Sequence, residues 1–349
     1  MKDNLIKVGI SIGDMNGVGL EIILKTFEDS KMLELCTPII FASNKTVSFQ
    51  RKHFDINTNF QGIDKIESAI PGKLNVLNCW KESPNVTFGQ VTEDGGKYAF
   101  ISLEKSVEAL KEGLIDVLVT APINKNNIQS EEFSFPGHTD YLAKELEGQS
   151  LMFMVSEGLR VGLFTDHVPL KDVSSHITED LIFSKIRLMN ESLRKDFCLQ
   201  RPKIAVLGLN PHCGDRGVIG SEDDEIIRPA LRKLFDEGIL VFGPFSADSF
   251  FATKNYCNYD AVIAPYHDQG LIPFKTLSFG NGVNYTAGLS KVRTSPDHGT
   301  AYEIAGKGIA DADSFRHAVF MAIDVFKNRL EYDSLTENPL KTKVLEAEK

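Results

Sequence analysis

Three histidines in this 349-residue chain stand where apolar runs give way to loops. They are His167 in Thr165-Asp166-His167-Val168-Pro169, His212 in Asn210-Pro211-His212-Cys213-Gly214 and His267 in Pro265-Tyr266-His267-Asp268-Gln269-Gly270. The runs before them, Val161-Gly162-Leu163-Phe164, Ile204-Ala205-Val206-Leu207 and Ala261-Val262-Ile263-Ala264, read as buried parallel strands. In open α/β sheets, ligands gather beyond the carboxyl ends of the strands. Three imidazoles there can converge on one divalent cation and leave a coordination position open, which is the pattern of a catalytic metal. Taken singly, each reads more simply as a loop or cap residue. Three strand-end placements among eight histidines favour the metal for the set. Cys213, beside His212, reads as a small buried thiol rather than a ligand or nucleophile.

Other segments offer groups for an anion. Phe135-Pro136-Gly137-His138-Thr139-Asp140 precedes a helix, which Thr139 or Asp140 could cap. Alternatively, His138 and Thr139 donate to a substrate anion above the helix N-terminus. Lys275, Asn284, Arg293 and His298 follow His267 closely, and segments 279–284 and 293–301 read as shaped polar loops. Cations concentrated there suit a carboxylate or phosphate. Ile12-Gly13-Asp14-Met15-Asn16-Gly17-Val18-Gly19 has two readings, a tight strand-to-helix turn or an anion cradle, and its spacing is not Gly-x-Gly-x-x-Gly.

The elements that must hold these residues alternate. Strands are expected at 7–12, 38–42, 74–77, 117–120, 151–155, 159–164, 203–209, 240–242 and 261–264. Helices are expected at 20–27, 95–111, 140–146, 179–195, 221–237 and 313–329. Such alternation implies an α/β fold with a mainly parallel sheet. Ser156-Glu157-Gly158 reads as a hairpin turn, and the chain from about Thr336 as a loose polar tail.

A chain of this length with 42% hydrophobic and 25% charged residues reads as a globular protein of two domains. Its net charge of −10 and pI near 5.4 argue against general nucleic-acid binding. An acidic protein that handles an anion must gather its cations locally. No apolar run approaches the roughly 18 residues of a membrane helix, and the first residues carry no signal-peptide pattern. Five scattered cysteines without a Cys-x-x-Cys pair fit free thiols in a reducing cytoplasm.

Five motifs in order sharpen the reading: Gly137-His138-Thr139, Asn210-Pro211-His212, Tyr266-His267-Asp268-Gln269-Gly270, Gly282-Val283-Asn284 and Arg293-Thr294-Ser295-Pro296-Asp297-His298-Gly299-Thr300-Ala301. Together they closely resemble the 4-hydroxythreonine-4-phosphate dehydrogenase family of vitamin B6 biosynthesis, over about residues 7–325. The resemblance implies a fold similar to isocitrate and isopropylmalate dehydrogenases, two α/β/α domains around an active-site cleft. The first domain would comprise 1–140 and 270–349, the second 141–269 with the metal ligands and the dimer contacts. His298-Gly299-Thr300-Ala301, then Ile304-Ala305-Gly306-Lys307-Gly308-Ile309-Ala310, is similar to the NAD-binding loop of that group.

Carried over residue by residue, the resemblance implies His167, His212 and His267 as metal ligands. It implies His138, Thr139, Lys275, Asn284 and Arg293 as substrate contacts, and His298, Gly299, Thr300 and Ala301 as cofactor contacts. Asp248, in Gly243-Pro244-Phe245-Ser246-Ala247-Asp248, matches an acidic position near the active site and joins Lys275 as a catalytic candidate. One departure is Met15-Asn16, where the family usually has Pro-Ala or Pro-Ser.

The implied reaction is NAD-dependent oxidation of 4-phosphooxy-L-threonine to a β-keto acid. Loss of carbon dioxide then gives 3-amino-2-oxopropyl phosphate, on the way to pyridoxine 5'-phosphate. A divalent cation on neutral imidazoles would ease ionisation of the hydroxyl, with Lys275 transferring a proton. Ligand type favours Zn²⁺, leaving Mg²⁺, Mn²⁺ and Co²⁺ open, as is NADP in place of NAD. A cytoplasmic homodimer with its active site near the subunit interface is expected, with no nucleic-acid or membrane partner. The alternative is a sister enzyme for phosphorylated threonate or erythronate, or for a cyclic diol carboxylate.

Overall fold

Short apolar and β-branched runs become strands: β1 (Ile6–Ser11), β2 (Cys36–Ala42), β3 (Phe60–Ile63), β4 (Leu74–Asn78), β5 (Val117–Thr120) and β6 (Gly148–Val155). The later ones are β7 (Arg160–Leu163), β8 (Ile204–Leu207), β9 (Val241–Phe245), β10 (Ala261–Ala264), β11 (Val283–Leu289) and β12 (Val292–Pro296). All lie in one 12-stranded sheet in the order β3-β4-β2-β1-β5-β12-β11-β6-β7-β10-β8-β9. The structure, a computed structural model, describes residues 5–338. The first four residues and most of the expected polar tail lie outside the described residues.

Every residue of β2, β5, β8 and β10 is buried. Helices on both faces account for those unbroken apolar runs, as the sequence led us to expect. The long helices Glu93–Lys111, Glu179–Lys195 and Asp313–Thr336 do much of this covering. Direction changes inside the sheet. β1 is parallel to β2 and β5, and β5 to β12. β10 lies between β7 and β8 and is parallel to both. The pairs β12–β11, β11–β6 and β6–β7 are antiparallel, so the two parallel blocks run in opposite senses. The expected hairpin at Ser156–Gly158 is the β6–β7 turn.

Several expectations need correction. Segments 279–284 and 293–301 were expected as loops, yet Asn284 lies in β11 and Arg293 in β12. β12 is buried throughout although its residues are largely polar, because those groups find partners inside. Thr294 Oγ1, for instance, donates to the Ala318 carbonyl at 2.7 Å. The stretch holding Lys275 is likewise a helix, His267–Leu277, despite Gly270 and Pro273. Gly270 is needed there: a Cβ would come within 2.7 Å of Leu163 and 3.0 Å of Val161 on β7. That close helix–strand approach sets where His267 stands. The expected helix 221–237 forms as a π-turn, Asp223–Ile227, leading into Arg228–Asp236. Among the described residues no helix is long and apolar enough to cross a membrane.

Candidate active site

His267 is the first residue of its helix, just past β10, and its Nδ1 lies 2.8 Å from Asp268 Oδ1. That bond orients the ring and leaves Nε2 for another partner. His167, past β7, places its ring centroid 6.3 Å from that of His267. Burial, and then the charge of Lys125, holds His167 below the usual imidazole range. Lys125 Nζ is 3.4 Å from His167 Nε2. Two adjacent strand ends therefore present two imidazoles side by side.

His212 does not join them. It sits in the turn Pro211–Asp215 past β8, with φ of 53° at His212 and 54° at Cys213. The buried Asp223 carboxylate pins this loop, accepting from Leu209 N and Asn210 N, both at 2.9 Å. The nearby Asp248 is exposed, and its carboxyl is held low by the Ser246 hydroxyl first and by His212 among later causes. Among the described residues, no three His, Cys, Asp or Glu side chains are grouped to hold a metal ion. The structure thus brings His167 and His267 into one cleft and leaves His212 and Asp248 outside it. Cys213 is half-buried rather than buried as expected, and partial burial still pushes its thiol up to about 11.

That cleft, of about 240 Å³, is built on the face of the sheet as well as at strand ends. Met152 and Met154 of β6, Asn284 of β11, and Arg293 and Ser295 of β12 form part of its lining. Alternate strand residues share a face, which explains their company. His138, Thr139, His167, His267, Lys275, His298 and Gly299 line the same cleft. A larger hollow, about 660 Å³, lies elsewhere and holds none of these side chains.

Three polar atoms here are buried without a hydrogen-bond partner among the described residues: His138 Nε2, Asn284 Oδ1 and His298 Nε2. Orphaned buried polar atoms are uncommon in folded proteins, and three around one cleft point to a ligand. Arg293 is 1% exposed and donates to the hydroxyls of Thr120 and Thr286. Burial pushes its guanidinium down to about 9, which still leaves it cationic at neutral pH. Burial, then Arg293 and Lys125, hold His138 well below the imidazole range, so it is neutral. Lys275 Nζ donates to the Asp297 carbonyl at 3.1 Å. An acidic protein has gathered its cations at one place, as expected.

Thr139 and Asp140 do not cap the helix His138–Glu145. They lie inside its first turn after Gly137, and no side chain caps it. The first loop is no anion cradle either, since residues 12–19 are all buried. Asp14 accepts there from Asn16 N (2.8 Å), Asn127 Nδ2 (2.8 Å) and Tyr302 Oη (2.7 Å). Met15, at the departure from the family pattern, is a core residue. In the cofactor-loop candidate, Gly299 faces open space, whereas the Thr300 carbonyl is taken by Val18 N at 3.0 Å and Ala301 has φ of 45°. His298 and Gly299 fit a bound cofactor; Thr300 and Ala301 shape the loop behind them. Sequence reasoning missed Lys125 and Asp223. Lys125 had a signal, since it follows a strand end just as the histidines do.

A relative in Bacteroides thetaiotaomicron named 4-hydroxythreonine-4-phosphate dehydrogenase is 49% identical over 99% of this chain and 96% of its own. Another, in Oceanobacillus iheyensis and provisionally named a D-threonate 4-phosphate dehydrogenase, is 36% identical over 91% of this chain and 97% of its own. The crystal structure of a 4-hydroxythreonine-4-phosphate dehydrogenase from Klebsiella pneumoniae superposes with a TM-score of 0.76. It is 32% identical, covering 92% of this chain and 98% of that one. The model of the family described as pyridoxal phosphate biosynthetic protein PdxA matches residues 34–322, and the chain belongs to that family.

Proposed function

We propose that this protein is an NAD-dependent dehydrogenase that oxidises 4-phosphooxy-L-threonine to a β-keto acid, which decarboxylates to 3-amino-2-oxopropyl phosphate. The observation that carries this reading is Arg293, a fully buried cation whose only partners among the described residues are hydroxyls. A desolvated charge without a counter-charge is costly, and an anionic substrate end would offset that cost. Neutral His138 and Thr139 donate to the same or the other anionic end. Asn284, directly across from Ser295 in the β11–β12 ladder, orients the substrate through its free Oδ1. Lys275 Nζ is the group that moves the proton of the reacting hydroxyl.

His167 and His267 fit as two ligands of a divalent metal, being adjacent and, for His267, oriented by Asp268. Such a metal supplies Lewis acidity at the substrate oxygen; all-imidazole ligation favours Zn²⁺, with Mg²⁺, Mn²⁺ or Co²⁺ as substitutes. NAD or NADP, taken up against His298 and Gly299, supplies the hydride acceptor. The third ligand is His212, and a homodimer with its active site near the interface accounts for its position outside its own cleft: the partner's loop would bring it in. The same arrangement leaves Asp248, beside His212, as an acid delivered across the interface. Domains split near residues 140 and 270 would place the cleft between them, since its lining comes from both parts. Free cysteines fit a cytoplasmic enzyme.

NADH formation on a panel of 4-phosphooxy-L-threonine, 4-phospho-D-threonate and 4-phospho-D-erythronate tests the function. The Oceanobacillus iheyensis relative makes the second substrate the serious competitor. A clear preference for it would replace the first reading with the second.

A further inference from the structure

We propose that Lys125 is a ligand for the substrate's anionic group that rests on His167 when no metal is bound and turns to the substrate when one is. Metal loading and anion binding then reinforce one another. This rests on the reading of His167 as a metal ligand.

Lys125 Nζ lies 3.4 Å from His167 Nε2. With the imidazole neutral and its proton on Nδ1, Nε2 offers its lone pair and the ammonium donates to it. A divalent cation needs such a lone pair as well, and one lone pair cannot serve both. Two positive groups at that distance also repel each other. Metal binding through this nitrogen therefore displaces the ammonium, and the surroundings determine where it goes. Lys125 is exposed and forms no ion pair among the described residues, so its stem is free to turn. It lines the same cleft as Arg293 and Lys275, and its Cε lies 3.6 Å from where a Cβ on Gly137 would stand. Gly137 directly precedes His138 and Thr139, so a turn of the Lys125 stem on this side brings its ammonium toward those two residues. A substrate carrying both a phosphate and a carboxylate presents two anionic ends, and Lys125 offers a donor to one of them while the buried Arg293 meets the other.

The test uses metal-depleted full-length protein with Zn²⁺ or Co²⁺ as the metal and inorganic phosphate as the anion, both followed by calorimetry. Lys125→Met should bind the metal more tightly, by about fivefold or more, because a competing charge has gone. The same metal-loaded variant should bind phosphate more weakly by a similar factor, and Lys125→Arg should restore most of the phosphate affinity. Circular dichroism checks that the exposed substitutions leave the fold intact. Unchanged or weaker metal binding in Lys125→Met would overturn the proposal, as would unchanged phosphate binding. A wild-type protein that takes up no divalent metal is a separate result, overturning the His167 reading beneath it.

Discussion

Arg293 donates to the hydroxyl of Thr120 twice, from Nη2 at 2.6 Å and from Nε at 3.1 Å, and pairs with no carboxylate among the described residues. A structural arginine at this depth would be expected to have an acid beside it. Its absence separates binding from bracing. Arg293→Met should raise the Michaelis constant of the phosphorylated substrate by roughly 10- to 150-fold, since a charge-assisted contact contributes about 1.5–3 kcal/mol. Thermal stability should hold or rise, because an uncompensated buried charge has been removed. A drop of several degrees in melting temperature with an unchanged Michaelis constant would make Arg293 a structural residue.

The depressed imidazole of His138 makes stability depend on pH with a definite sign. Unfolded, the ring takes a proton near pH 6.5, whereas folded it does so only at lower pH. The unfolded state therefore binds more protons below about 6.5, and stability, full above that value, is lost as pH falls through the window beneath it. His138→Gln should flatten the decline in unfolding free energy between about pH 7 and about pH 5 by up to about 1.4 kcal/mol per pH unit, within the window where the two states differ. Identical slopes for variant and parent would show that His138 is not buried in its neutral form.

His212 stands outside the cleft that holds His167 and His267, and this bears directly on subunit mixing. His167→Ala and His212→Ala should each be inactive alone. Refolded together in equal amounts, they should regain about a quarter of wild-type activity, because half the dimers are mixed and each has one intact site. No recovery would overturn the delivery of His212 across a subunit interface.

Asp223 is not among the residues that line the cleft, yet it fixes the loop of His212 through two backbone amides. Asp223→Asn keeps the shape but loses one charged acceptor oxygen. Metal affinity should fall about 10- to 100-fold, as for other residues that orient a ligand. Full metal retention during dialysis against a chelator would dismiss this role.

The histidine-bearing strands were legible because their apolar runs are short, continuous and followed by turn residues. β7, β8 and β10 prove to be adjacent and parallel. Asn284 and Arg293 could be named as site residues but not placed. Their strands are rich in polar groups, and hydrophobic periodicity cannot report a strand whose polar side chains are satisfied by neighbours distant in sequence. The helix His267–Leu277 hid for a related reason. Gly270 and Pro273 are poor helix formers, and only the packed fold shows that a Cβ at 270 would crowd Val161 and Leu163 and that a small residue is required. Lys125 lies at a strand end like the histidines, but its significance rests on a distance to His167 that no spacing in the sequence encodes.

The sheet order also has a consequence for the newborn chain. β5 pairs with β1 on one side and with β12 on the other, and β12 is made nearly half the chain later. While the ribosome works through the intervening residues, Val117-Leu118-Val119-Thr120 offers an open edge of unpaired amides and carbonyls. Such an edge invites pairing with a neighbouring chain. A polypeptide that terminates before Val292 keeps that edge permanently, so C-terminal truncations are expected to aggregate rather than settle as a smaller enzyme. Completion of translation, rather than the folding of any early piece, is what protects this molecule from its own copies.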